Sequence, residues 1–133
     1  MGELKIGIVM VEEQMSFAQR HLSATTESLK ALGCAENNIK IISSPTVLNV
    51  PLTTQFFAEY TEVDAVIVLA ESSPSKEYEM MLYGITRLQM TWNMPVLVGD
   101  CTAAEQAVEM VRTQSEMEAA APDYVNADHK SIN

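Results

Sequence analysis

The sequence predicts a three-layer α/β domain, a parallel sheet of about four strands with helices packed on both faces. Two observations carry that expectation. Apolar runs without polar alternation recur at Ile6–Val11, Ala65–Ala70 and Pro95–Val98, and such runs suit strands covered on both sides. Between them lie segments with helical apolar spacing, and strands alternating with helices of these lengths fold as right-handed parallel crossovers.

Each element has its own local reason. Lys5–Val11 forms the first strand, and Glu12 and Glu13 follow it at once, at the C-terminal strand end where such folds place ligands. From about Ser16 to Leu32, Phe17, Leu22, Thr25, Leu29 and Leu32 form a helical stripe, and Gly33 stands at the left-handed C-cap position. Ile39–Ser43 is a short second strand. Pro45 and Pro51 bracket a loop, each holding its predecessor out of helical geometry. Pro51 suits the first turn of a helix running to Tyr60, where its missing amide hydrogen has no helical partner to lose.

Val63–Ala70 reads as the third strand. Ser72-Ser-Pro-Ser-Lys76 breaks it and caps a helix from Glu77 to Trp92, with Met81, Leu82, Ile85, Leu88 and Met90 to bury. Pro95–Gly99 is the fourth strand and Thr102–Ala120 the last helix. Pro122 is expected to end it, giving a domain of residues 1–121 and a polar tail of residues 122–133.

Composition narrows the function. A chain of 133 residues makes one domain that buries roughly two thirds of its unfolded surface. With 18 acidic against 8 basic residues and a net charge of −10, it repels a phosphate backbone, which excludes nucleic acid as a partner. Cys34 and Cys101 do not amount to a disulfide framework, and Met1–Lys5 leads into a strand without a signal-peptide pattern, so a cytoplasmic location is expected. The apolar runs fall far short of the ~20 residues of a membrane span.

Several segments, taken in order, resemble lumazine synthase. They are Ile6-Gly-Ile-Val9, the helix ending at Gly33, Glu36–Ile39, the Pro45–Pro51 loop, Asp64–Leu69, Met94-Pro-Val96, Gly99 and Glu105–Ala107. Each motif is weak alone; their shared order and spacing from about residue 4 to 112 is more specific. The resemblance implies a flavodoxin-like three-layer fold of the lumazine synthase type. It also implies an enzyme making 6,7-dimethyl-8-ribityllumazine in riboflavin biosynthesis, and subunits that associate as pentamers or larger shells.

The same register shows departures. Glu13 and Gln14 stand where the family has a stacking aromatic residue followed by Asn, and a carboxylate offers no stacking face. Thr46 and Asn49 stand where a Gly and a Glu hold the ribityl chain, and Asn49 could still bond a hydroxyl. The family's glycine-rich, Arg-bearing phosphate segment with its proton-moving His corresponds to the shorter Ala70–Glu77, which lacks Gly, Arg and His. Only Ser72, Ser73, Ser75 and Lys76 there offer comparable groups to a phosphate. The two histidines, His21 and His129, lie elsewhere.

These departures point to a divergent, non-catalytic family member that self-assembles or binds some other small molecule. The candidate ligand-binding residues are Glu13, Gln14, Thr46, Val47, Leu48, Asn49, Glu71, Ser72 and Ser73, with no catalytic residue assigned, no cofactor required and no metal site identified. Met80, Met81, Tyr83, Met90, Trp92 and Met94 divide, on this reading, between core packing and a partner surface. The first alternative is an active lumazine synthase with a rebuilt site, although losing oriented phosphate and proton-transfer groups costs factors of about 10² to 10⁴ each. The second is a divalent-cation module in which Glu12, Glu13, Glu71 and Asp100, all at C-terminal strand ends, converge on one ion.

Overall fold

The computed structural model describes residues 3–132 along the backbone and the side chains of residues 3–122. Four parallel strands, β1 (Ile6–Val11), β2 (Ile39–Ser44), β3 (Ala65–Leu69) and β4 (Val96–Gly99), form one sheet in the order β2-β1-β3-β4. Four α-helices alternate with them: α1 (Met15–Ala31), α2 (Val50–Tyr60), α3 (Lys76–Trp92) and α4 (Ala103–Ile132). Short 3₁₀ turns at Glu12–Gln14, Glu36–Asn38 and Val47–Asn49 lead into α1, β2 and α2. The element order expected from the sequence is therefore the one observed.

Alternating side chains divide the sheet into two cores. Ile6, Ile8 and Met10 of β1 join Ala65, Ile67 and Leu69 of β3 beneath α1 and α4, where Ala18, Leu29, Ala104, Ala107 and Val108 meet them. Val9, Val11, Val66, Val68 and Val96 face the other way onto Val50 and Phe57 of α2 and Met81, Ile85 and Leu88 of α3. Every residue of β1 is buried because β2 and β3 flank it while helices cover both faces, which is why the run lacks polar alternation. Ile6 pairs in register with Ile39 on one side and Ala65 on the other.

Two glycines permit close approach. A Cβ on Gly7 would lie 2.9 Å from three atoms of the Phe57 ring, so the bare backbone of β1 is the floor on which α2 rests. On Gly84 of α3 it would lie 2.8 Å from Pro51 Cγ, so the Pro51 ring of α2 sits against the bare backbone of α3. Gly33 adopts φ +103°, and the amide of Cys34 returns to the Leu29 carbonyl at 2.9 Å, closing α1 as its sequence position predicts.

Two expectations change. Leu82 and Met90 of α3 were assigned to the core, yet both are exposed, Met90 by 74%. The buried face runs through Met81, Ile85 and Leu88 at spacings of four and three, and residues 82 and 90 fall outside that stripe. The helix expected to end at Pro122 continues through it to Ile132. Proline's fixed φ matches the helix, so the backbone can pass it with the loss of a hydrogen bond and a clash one turn back. The polar tail expected over residues 122–133 lies, beyond Pro122, outside the residues whose side chains are described. Asn93, which carried no expectation, ends α3 in the left-handed region at φ 53°, and its carbonyl accepts from Gln114 Nε2 of α4 at 2.6 Å.

Among the described residues no helix is long and apolar enough to cross a membrane. Both cysteines are free thiols. Cys34 is buried and donates to the Leu4 carbonyl at 3.3 Å, and burial, reinforced by the charge of nearby Asp64, pushes its pKa above the ordinary thiol value.

Candidate functional site

With β1 between β2 and β3, the chain leaves β1 toward one edge of the sheet and later returns to build toward the other. The loops after these strands separate there, and such switch points are where open α/β sheets accept ligands. A cavity of about 410 Å³ opens at this place, lined by Glu13, Gln14, Thr46, Val47, Leu48, Ser73, Ser75, Glu77 and Tyr78. Its size lies within the range of small-molecule sites.

Local geometry explains each wall. The 3₁₀ turn after β1 swings Glu13 across to the loop after β2, where its Oε1 accepts the Val47 amide at 3.3 Å. Gln14 turns toward the loop after β3, accepting from the Glu71 amide at 2.9 Å and donating to the Glu71 carbonyl at 3.5 Å. The pair thereby ties three loops together. Ser75 caps α3 by accepting the Tyr78 amide at 3.2 Å, which sets the first turn of α3, with Glu77 and Tyr78, on the rim.

Of the candidate residues, Glu13, Gln14, Thr46, Val47, Leu48 and Ser73 line this cavity, whereas Asn49, Glu71 and Ser72 do not. Asn49 Oδ1 instead accepts the Thr46 hydroxyl at 2.7 Å, because the Val47–Asn49 turn folds it back on its own loop. Glu71 meets Gln14 through its backbone. Glu77 and Tyr78 line the cavity without having been singled out. The signal available was the Ser-Pro-Ser cap, since a helix starting directly after a strand presents its first turn at the strand's end.

The acidic strand ends do not form a common ion site. Among the described residues no group of three or more His, Cys, Asp or Glu side chains is placed to hold a metal. Glu13 is engaged by Val47. Asp100 Oδ1 accepts both the amide and the hydroxyl of Thr102, at 2.8 and 2.7 Å, on the way into α4. Those two bonds, the hydroxyl first, hold the Asp100 carboxyl below its ordinary pKa, with His21 acting in the same direction.

In chemical terms the cavity carries two carboxylates, Glu13 and Glu77, together with hydroxyls, one amide and the ring of Tyr78. It can accept and donate hydrogen bonds, and the charged side chains in its lining are both acidic.

Comparison with known proteins matches residues 3–133 to the family described as 6,7-dimethyl-8-ribityllumazine synthase. The chain is similar to the 6,7-dimethyl-8-ribityllumazine synthase of Azoarcus sp. (strain BH72), with 30% identity over 117 residues covering 84% of this chain and 75% of that protein. It is 33% identical to the protein of the same name from Paracidovorax citrulli (strain AAC00-1) over 114 residues, covering 80% of this chain and 74% of that one.

Proposed function

The chain belongs to the 6,7-dimethyl-8-ribityllumazine synthase family, and on that premise we propose that it is a divergent member serving as a self-associating, ligand-binding subunit without lumazine synthase catalysis. The observation that carries the non-catalytic half is the charge of the mouth cavity, whose charged side chains are Glu13 and Glu77. The family reaction, as the sequence resemblance implies, brings a butanone phosphate to this position. Two carboxylates repel that anion, and the 2.9 Å bond from the Glu71 amide to Gln14 occupies one backbone donor of the loop that would otherwise face it.

Self-association draws on the outer face of α3, where Met80 and Tyr83 are 62% and 64% exposed alongside Met90. Of the residues expected to divide between core and surface, Met81 and Met94 are buried, while Met80, Tyr83, Met90 and Trp92 are exposed. A run of large apolar side chains on one helix face suits a partner surface.

The experiment is a paired one. Purified protein given the ribitylamino-pyrimidine and butanone phosphate will accumulate no lumazine absorbance, and light scattering will give a mass of several chains. Turnover overturns the non-catalytic reading. The alternative, an active synthase with a rebuilt site, is favoured by the identity of about 30% to proteins named as that enzyme, and the same assay decides it.

A further inference from the structure

Side chains of the loops around the mouth cavity take up four of the backbone donors that an anion would need there. Glu13 Oε1 accepts the Val47 amide at 3.3 Å, and Gln14 Oε1 accepts the Glu71 amide at 2.9 Å. Ser73 Oγ accepts the Ser75 amide at 3.3 Å, and Ser75 Oγ accepts the Tyr78 amide at 3.2 Å. The first turn of α3 also carries Glu77 and Glu79, so the positive end of that helix already has negative charge of its own.

The charged groups left uncommitted are acceptors beside an apolar wall. Glu13 keeps its second carboxylate oxygen, and Glu77 has no ion pair among the described residues. Lys76, next to Glu77 in the chain, does not line the cavity. Val47, Leu48 and the ring of Tyr78 supply the wall, with Leu48 53% exposed. A volume of about 410 Å³ lies toward the small end of ligand sites, which suits one ring with a short chain.

We infer that the ligand of the mouth cavity is a small amine with an apolar body, whose ammonium meets Glu13 and Glu77 and whose body packs on Leu48 and Tyr78. The inference rests on the proposed reading of this cavity as a ligand site without lumazine synthase catalysis, and it adds the charge class. An ammonium brings N–H donors to both carboxylates, while the capped amides leave an anion of the same shape few partners. Glu13 and Glu77 are exposed, so each contact changes affinity by a modest factor and weakens with salt.

The test is calorimetric titration of the full chain with phenethylamine, phenethyl alcohol and 3-phenylpropionate, which share a ring and differ in charge. The amine binds saturably and roughly three- to tenfold more tightly than the alcohol, the range expected for charge contacts at an exposed site, and the carboxylate binds more weakly than either. Glu77→Gln and Glu13→Gln each bring the amine toward the alcohol, and glutamine at position 13 keeps an acceptor for the Val47 amide. Leu48→Ala weakens amine and alcohol alike. Glu79→Gln removes the same charge from the same turn of α3 outside the cavity lining and leaves binding unchanged. Equal binding of amine and alcohol, tighter binding of the carboxylate, an equal effect of Glu79→Gln, or no saturable binding of the amine overturns the inference. The lumazine assay is read separately. Turnover there removes the premise and the inference with it, whereas no turnover together with no preference for the amine removes the charge class alone.

Discussion

At the scale of single residues, the tightest constraint is Gly7 under Phe57. A methyl group there would sit 2.9 Å from the ring, and the fully buried Phe57 has nowhere to retreat. Gly7→Ala is expected to destabilise by about 1–3 kcal/mol, the usual scale of overpacking, and Phe57→Leu in the same chain should recover part of the loss because it removes the atoms that clash. Urea denaturation of the two single variants and the double variant measures the coupling. Asp100 gives a prediction with a sign in pH. Its folded pKa is depressed, first by the Thr102 hydroxyl and then by the Thr102 amide, so its contribution is complete above the ordinary carboxyl pKa and disappears as pH falls through the depressed value. Asp100→Asn should therefore lose stability near neutrality and little at acid pH, narrowing the gap between the two. Melting curves taken at both ends of that range show it.

At the scale of elements, caps and close contacts explain both what the sequence revealed and what it hid. Gly33 was legible as the end of α1 and Pro51 as the first turn of α2, because proline and glycine restrict or widen φ whatever surrounds them. The buried strands were legible because two-sided burial removes polar alternation. The phase of α3 was not: Leu82 and Met90 are as apolar as Met81 and Leu88, and only the packing against β3 and α2 decides which stripe turns inward. The placement of Asn49 was hidden for a related reason, since its bond with Thr46 depends on a 3₁₀ turn that leaves no mark in composition. The Ser75 cap was legible, and its energetic weight can be tested. Ser75→Ala removes the acceptor of the Tyr78 amide and should cost about 1 kcal/mol. Since that turn also carries Glu77 and Tyr78, fluorescence of the tyrosines should change along with the unfolding midpoint.

At the scale of the whole molecule, both sides of the sheet leave large apolar side chains exposed. α4 shows Met110 and Met117 to solvent, and α3, on the other side, shows Met80, Tyr83 and Met90. If that surface mediates assembly, Tyr83→Lys combined with Met90→Lys will shift the mass seen by light scattering toward a single chain without altering the circular dichroism, because neither side chain belongs to the buried set. An unchanged mass places the interface elsewhere.

The bidentate grip of Gln14 on the Glu71 peptide joins the ends of two adjacent strands by one side chain, with no cysteine or ion involved. A hinge clasped in this way has its aperture set before any guest arrives. The free protein should then discriminate by shape at first encounter, and the Glu71 amide proton should exchange with deuterated solvent more slowly than those of Ser72 and Ser73, which follow it in the chain.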